Sequence, residues 1–329
     1  IFLFLDLLSQ NKNLLLYKMN PENLAETIKK SRPNIKDSTI KMYVGNLNKI
    51  KKIFESDDFK FLKNIDDVKE KLSEKHYTTQ RNYYNSIIIL LMALDSDKEL
   101  IDEYNKIRDE LNALYTANQK DGVISAKQKE AFISIDELKD FIDKIRIDLD
   151  ITKLKKKDTA TEKEKKLLMV YTILSILIEN PMRNDLSQMK IIGKKGYNGL
   201  TDTEKRDTNY LVMEKSSLMF LLNDYKTSKK YLEKTIKISK PLEKIIRMYM
   251  RINKLKNGDV LFPISRNGIS QLLIKTSKKY IQKSISTTMI RKIVASDLLK
   301  DVKEMEKKLS NKMGTDIDTI KDVYVKTSS

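Results

Sequence analysis

Arg183, Lys226, Arg291 and Tyr324 are spread in that order along the second half of the chain, and together they could do chemistry on a phosphodiester. Their contexts are Asn180-Pro181-Met182-Arg183-Asn184-Asp185-Leu186, Tyr225-Lys226-Thr227-Ser228, Met289-Ile290-Arg291-Lys292-Ile293-Val294-Ala295-Ser296 and Val323-Tyr324-Val325. Two guanidiniums can hold both non-bridging oxygens of a phosphate in a planar, bidentate fashion that lysine cannot imitate. Preorganised donors of this kind are worth roughly 10²–10³ each in rate. An ammonium beside a phosphate can protonate a departing oxygen. A phenol can attack phosphorus and split one hard step into two.

The totals bound what such a set could serve. At 329 residues the chain is long enough for two domains, each with its own core. Its formal net charge of +18 and pI near 9.5 suit phosphate polymers or anionic membranes, although lysine abundance also fits an AT-rich coding genome. Membrane-surface binding would need a basic amphipathic segment with an aromatic apolar face, which is not found. With no cysteine and a single histidine, His76, the sequence excludes a zinc site, a disulfide framework and a Cys-His pair, so no metal is expected. An intracellular setting is compatible with that. The opening Ile1-Phe2-Leu3-Phe4-Leu5-Asp6-Leu7-Leu8 lacks a basic lead and a cleavage site, and it is shorter than the roughly 20 residues of a bilayer span. Residues 1–18 are an uncertain N-terminal extension, with Met19 a candidate start.

The elements that must position the four residues read as mainly α. Residues 19–118 carry apolar residues at helical spacing. Asp37-Ser38 is a cap, Ile65-Asp66-Asp67 opens a short helix, Thr78-Thr79 caps the Tyr83–Leu94 stripe, and a last helix starts at Asp97. Residues 119–134 lose the period and carry Gly122, which predicts a linker. Ser134 and Glu137 have capping-box spacing and open residues 135–329. After a lysine-rich break at 152–166, Leu167–Ile178 is apolar nearly all round, a buried helix. Tyr210–Met213, Leu218–Leu222 and Thr235–Ile238 predict a small antiparallel sheet. Helices resume at Pro241, with breaks at Asn257-Gly258 and Asn267-Gly268.

In order and spacing these segments resemble the tyrosine recombinase (phage-type integrase) family. Arg183 follows the buried helix, as the first family arginine does. Lys226-Thr227-Ser228-Lys229-Lys230, leading into a strand, looks like the family's hairpin lysine. Thr288-Met289-Ile290-Arg291-Lys292-Ile293-Val294-Ala295-Ser296 keeps the Arg and Ala-Ser of the second arginine segment but has Thr288 and Lys292 at the histidines. Tyr324 lies 33 residues beyond Arg291, behind Met313-Gly314-Thr315, with Thr315 in place of the usual His or Trp. Ser38-Thr39-x-x-x-Tyr43 is similar to the start of the core-binding domain.

The resemblance implies a helical, SAM-like core-binding domain over 19–118 and a mostly helical catalytic domain with a small antiparallel sheet over 135–329. It implies a site-specific recombinase or integrase of a mobile element or DNA virus, which cleaves and rejoins duplex DNA through a 3′-phosphotyrosyl link. The partners are double-stranded DNA, clasped between the two domains, and further copies of the chain, a homodimer on each site and a homotetramer in synapsis. Such an enzyme is DNA-associated, in a prokaryotic cytoplasm or in a host nucleus or virus factory. No metal and no cofactor are implied. Tyr324 is the nucleophile and Lys226 the general acid, with Arg183, Arg291, Thr288 and Thr315 completing the catalytic set and Lys229, Lys230 and Lys292 binding DNA.

Plainer accounts compete with each assignment. Arginine is scarce, 10 residues against 54 lysines, so one at both expected places favours function over a surface ion pair. Lys229 or Lys230 replaces Lys226 if the hairpin register is shifted. Tyr324 could be a core aromatic, Thr288 and Thr315 plain helix residues, and His76 a surface residue. Residues 223–247 hold eight Lys/Arg and three Asp/Glu, either a solvated face or a phosphate contact. Two other functions stay open, a type IB topoisomerase working alone and a DNA-binding relic that no longer cleaves. Only five residues follow Tyr324, so the docking tail common among related enzymes is lacking or truncated.

Overall fold

Helical apolar periodicity dominates the fold of the computed structural model, which describes residues 20–120, 126–157 and 159–324. The expectations for residues 1–18 and for Gly122 lie outside those described. The chain divides into two units, Ile1–Val123 and Ile124–Ser329.

The first unit consists of helices α1 (Pro21–Ser31), α2 (Asp37–Ile53), α3 (Ile65–Ser73), α4 (Tyr77–Ala93) and α5 (Lys98–Lys120). Helix α4 is central and packs against the other four. Its Ile87, Leu90 and Leu91 are fully buried, which is why apolar residues surround it. Tyr104 on α5 is buried too, and its hydroxyl donates to Leu62 O at 2.8 Å. Two caps differ from expectation. Lys36 takes the cap position of α2, and Asp37 sits inside the first turn, where its carboxylate meets the positive helix end and Lys29. His76 caps α4, its Nδ1 accepting from Thr78 N at 3.4 Å. That structural role accounts for the lone histidine.

In the second unit, α6 (Ala126–Ala131) precedes α7 (Ile135–Ile151) and α8 (Glu162–Glu179). Residues 119–134, expected as a linker, thus include a short helix, and Ala131 and Ile133 join the core. Two buried residues are too few to register as a period. Ser134 and Glu137 form the expected capping box. A second one, Thr161 with Glu164, starts α8 within the lysine-rich stretch. Leu168, Ile173, Leu174, Ile176 and Leu177 of α8 are at most 1 % exposed, and the helix packs against α7, α9 (Lys240–Ile252), α10 (Arg266–Ile281) and α11 (Thr287–Leu298).

The α8 cap carries a pH prediction. The Thr161 backbone N–H, Lys157 and the Thr161 hydroxyl pull the Glu164 carboxyl from 4.5 down to about 2. A depressed folded-state pKa contributes stability that is present above pH 4.5 and lost as pH falls toward 2. Glu164→Gln is therefore expected to flatten the acid limb of stability between those values. Denaturant midpoints measured across that range check it, and unchanged curvature would contradict the assignment.

The sheet is mixed rather than antiparallel. Strands β1 (Lys190–Gly193), β2 (Tyr210–Met213), β3 (Leu218–Leu222) and β4 (Lys234–Lys237) lie in sequence order. β1 pairs parallel with β2, Ile191 beside Leu211, whereas β2–β3 and β3–β4 are antiparallel. β1 escapes a sequence reading because it is four residues long with one buried position. Its outer edge is bonded by the 258–261 segment, Leu261 N to Met189 O at 2.7 Å and Gly258 N to Ile191 O at 2.8 Å. Gly258, at φ +94°, makes the expected turn.

The break expected at Asn267-Gly268 is instead the first turn of α10, with Ser265 as cap accepting from Gly268 N at 3.0 Å. Glycine at that position keeps the turn open, since a Cβ there would meet Ile264 Cγ1 at 2.7 Å. After α11 come α12 (Lys300–Met313), which buries no residue, and the turns Ile317–Thr319 and Ile320–Tyr324. Among the described residues no helix is long and apolar enough to cross a membrane.

Candidate active site

Four segments far apart in sequence meet at one cavity of about 250 Å³ lined by Arg183, Asn184, Asp185, Lys226, Arg266, Thr287, Thr288 and Arg291. Each is delivered by a local device. The all-round apolar α8 is fixed in the core, and its C-terminal residues lead through Pro181 to Arg183, which caps the short turn Asn184–Leu186. Ser286 caps α11, its Oγ accepting from Met289 N, and so places Thr287, Thr288 and Arg291 on the first two turns. Lys226 lies on the β3–β4 connection, just before the helical turn Ser228–Tyr231.

The electrostatics are those of an anion site. Arg183 is exposed, and neither it, Lys226 nor Arg291 makes an ion pair among the described residues. Arg291 is half-buried, and its Nε donates to Pro181 O at 3.0 Å, which leaves both Nη groups available. Burial, then the neighbouring Arg183 charge, lowers the Arg291 pKa, with Asp185 opposing. Two guanidiniums close enough to repel one another are stabilised by a shared anion between them. Asp185 is 6 % exposed, and burial raises its pKa against the pull of Arg266 and Arg183. Arg266, by contrast, is paired with Asp224 at 2.8 Å.

Four of the six expected catalytic residues, Arg183, Lys226, Thr288 and Arg291, therefore line one cavity. Thr315 does not. It follows the left-handed Gly314 at the end of α12, its hydroxyl donates to Met313 O at 3.3 Å, and its carbonyl accepts from Ser310 Oγ. Tyr324 ends the last described turn, and its side chain lies outside the described residues, as does Val325. Lys229 and Lys230 are exposed on the Ser228–Tyr231 turn, with the Lys230 ammonium 5.2 Å from the Tyr231 ring centroid. Lys292 donates to Gln128 Oε1 on α6 at 2.9 Å, so it is partly engaged within its own unit.

Sequence reasoning did not single out Arg266, Asn184, Asp185 or Thr287. The scarcity of arginine was a signal for Arg266, and Asp185 stands two residues from Arg183. A further residue, Asn209, had no signal. It is 5 % exposed at the entrance to β2, and its amide bridges the Arg183 turn and the Lys226 connection. Among the described residues no cluster of His, Asp or Glu has the grouping to hold a metal. What the cavity offers is charge, three cations without an ion pair among the described residues, together with the Thr288 hydroxyl and a Thr287 hydroxyl that faces Ser270 Oγ at 3.3 Å.

No family model and no curated protein matches the chain. Among solved structures, the crystal structure of XerA recombinase is similar over 85 % of this chain and 84 % of its own, at 14 % identity and a TM-score of 0.32. A likeness that weak carries no argument by itself, so the functional reading stands on the residues and their geometry.

Proposed function

We propose that the protein is a tyrosine-type DNA strand transferase, a site-specific recombinase or integrase. The observation that supports it best is the convergence of Arg183, Lys226 and Arg291 on one cavity, each without an ion pair among the described residues. In this reading Arg183 and Arg291 grip the two non-bridging oxygens of the scissile phosphate and stabilise the charge that builds there. Tyr324 Oη bonds to phosphorus as the P–O5′ bond breaks. The phenolic proton passes to water, and the departing 5′-oxygen takes its proton from Lys226. The products are a 3′-phosphotyrosyl link and a free 5′-hydroxyl, and the link retains the energy needed for rejoining. Thr288 donates a hydrogen bond to the phosphate, since threonine cannot act as a base at neutral pH.

Residues 19–118 act as the core-binding domain and 135–329 as the catalytic domain. Lys229 and Lys230 add contacts to flanking phosphates, Lys292 a further one, and Thr315 a weakened member of the set. Two copies bind each site and four form the synapse. The relic reading draws on Thr288 and Lys292 standing at the family's histidines, on Thr315 in place of His or Trp, and on Thr315 lying off the cavity. One experiment separates the two. Incubation with pools of nicked duplex, denaturing electrophoresis and peptide mapping are expected to yield a DNA-linked peptide containing Tyr324. Tight duplex binding with no covalent adduct would favour the relic instead.

A further inference from the structure

Lys226 sits on a connection rather than in a regular element, so something must hold its ammonium at the phosphate. Its anchorage lies two residues upstream. Asn209 Oδ1 accepts from Asn223 N at 2.8 Å and from Asp224 N at 2.9 Å. Its Nδ2 donates to Asp224 O at 3.1 Å and to Asp185 O at 2.9 Å. One buried amide thus uses all four of its hydrogen-bonding places, and the two backbone N–H donors fix which way it faces. It ties the turn that carries Arg183 to the connection that carries Lys226. From the other side Arg266 Nη2 donates to Asp224 O at 3.1 Å and to Asp224 Oδ2 at 2.8 Å.

The geometry points to Arg266 and Asn209 as positioning residues for the general acid: together they latch Asp224 and so set Lys226 relative to Arg183. The assignment rests on the strand-cleavage reading above. Arg266 acts through Asp224 and Lys226, since its Nη2 serves both the Asp224 carboxylate and the Asp224 carbonyl. Misplacing a reacting group by about 1 Å costs on the order of 10²-fold in rate.

The test exploits the leaving group. Duplexes captured by the wild-type protein are prepared with either oxygen or sulfur at the 5′-bridging position of the scissile linkage. A thiolate departs as the P–S bond breaks and needs no proton, because its pKa is about 8.5. Arg266→Ala is expected to slow cleavage roughly 10–10²-fold on the oxygen substrate and to cleave the sulfur substrate at close to the wild-type rate. Lys226→Ala should follow the same pattern, whereas Arg291→Ala should be slow on both. Equal slowing of Arg266→Ala on both substrates, or none on either, overturns the assignment.

A second measurement reads the latch without DNA. Backbone amide exchange at Asn223 and Asp224 is expected to accelerate about tenfold or more in Arg266→Ala and in Asn209→Ala. Unchanged exchange overturns the latch whether or not DNA is cleaved. If the wild-type protein captures no duplex, the cleavage reading falls, and exchange still decides whether Arg266 and Asn209 hold the connection.

Discussion

With alanine at position 291, strand cleavage is expected to slow by roughly 10²–10³-fold while duplex affinity changes little. Arg291 is the guanidinium whose orientation the fold sets most firmly. Its Nε is held by Pro181 O, its stem is half-buried on α11, and neither Nη group has a partner among the described residues. It has a second guanidinium, Arg183, for a neighbour, and a bound anion adds to the relief that Asp185 gives their repulsion. Lysine at 291 keeps the charge but has neither the Nε donor nor the planar fork, so it should recover little of the loss. Single-turnover capture on a nicked duplex reads the rate. Wild-type cleavage by Arg291→Lys would show that no guanidinium geometry is needed there. Arg183→Ala is the companion variant, since Arg183 is exposed and its side chain makes no hydrogen bond among the described residues. A comparable loss from that variant, with an unchanged denaturant midpoint, points to the guanidinium rather than to misfolding.

Apolar periodicity was legible in the sequence, and so was one capping box, whereas the caps at Lys36, His76 and Ser265 were not. The apolar run Leu167–Ile178 is the heart of α8, and Ser134 with Glu137 opens α7. Strands β2 and β3 lie where short apolar runs split by polar turns placed them, and β4 is displaced by one residue. What depends on partners distant in the chain was not legible. β1 is a strand because β2 lies on one side and residues 258–261 on the other, and nothing within Lys190–Gly193 announces either. Asn267-Gly268 looks like a turn, but the Ser265 cap captures Gly268 N and makes it the start of α10. That misreading also hid Arg266, which the cap places at the cavity. Asn209 illustrates the same limit: a lone polar residue before a strand acquires meaning only when Asp185, Asn223 and Asp224 converge on it.

Tyr324→Phe should abolish covalent capture altogether and leave duplex binding at the wild-type level. Phenylalanine keeps the ring and removes only the oxygen that would bond to phosphorus, and losing an obligatory nucleophile costs on the order of 10⁴-fold or more. The chain has 15 tyrosines, so the identity of the nucleophile must be argued against the others. Burial disposes of several of them. It pushes the Tyr84 phenol up to about 12 and raises Tyr104 and Tyr249 as well, away from any phosphate in solvent. Tyr231 is the serious competitor. It is 62 % exposed, beside the Lys230 ammonium, and five residues beyond Lys226 on the same connection. Tyr231→Phe is therefore the decisive companion. Capture that survives in Tyr231→Phe and vanishes in Tyr324→Phe assigns the nucleophile to the last turn. The reverse result would keep the cavity and the chemistry but move the attacking oxygen to the β3–β4 connection, and the spacing argument for Tyr324 would fail.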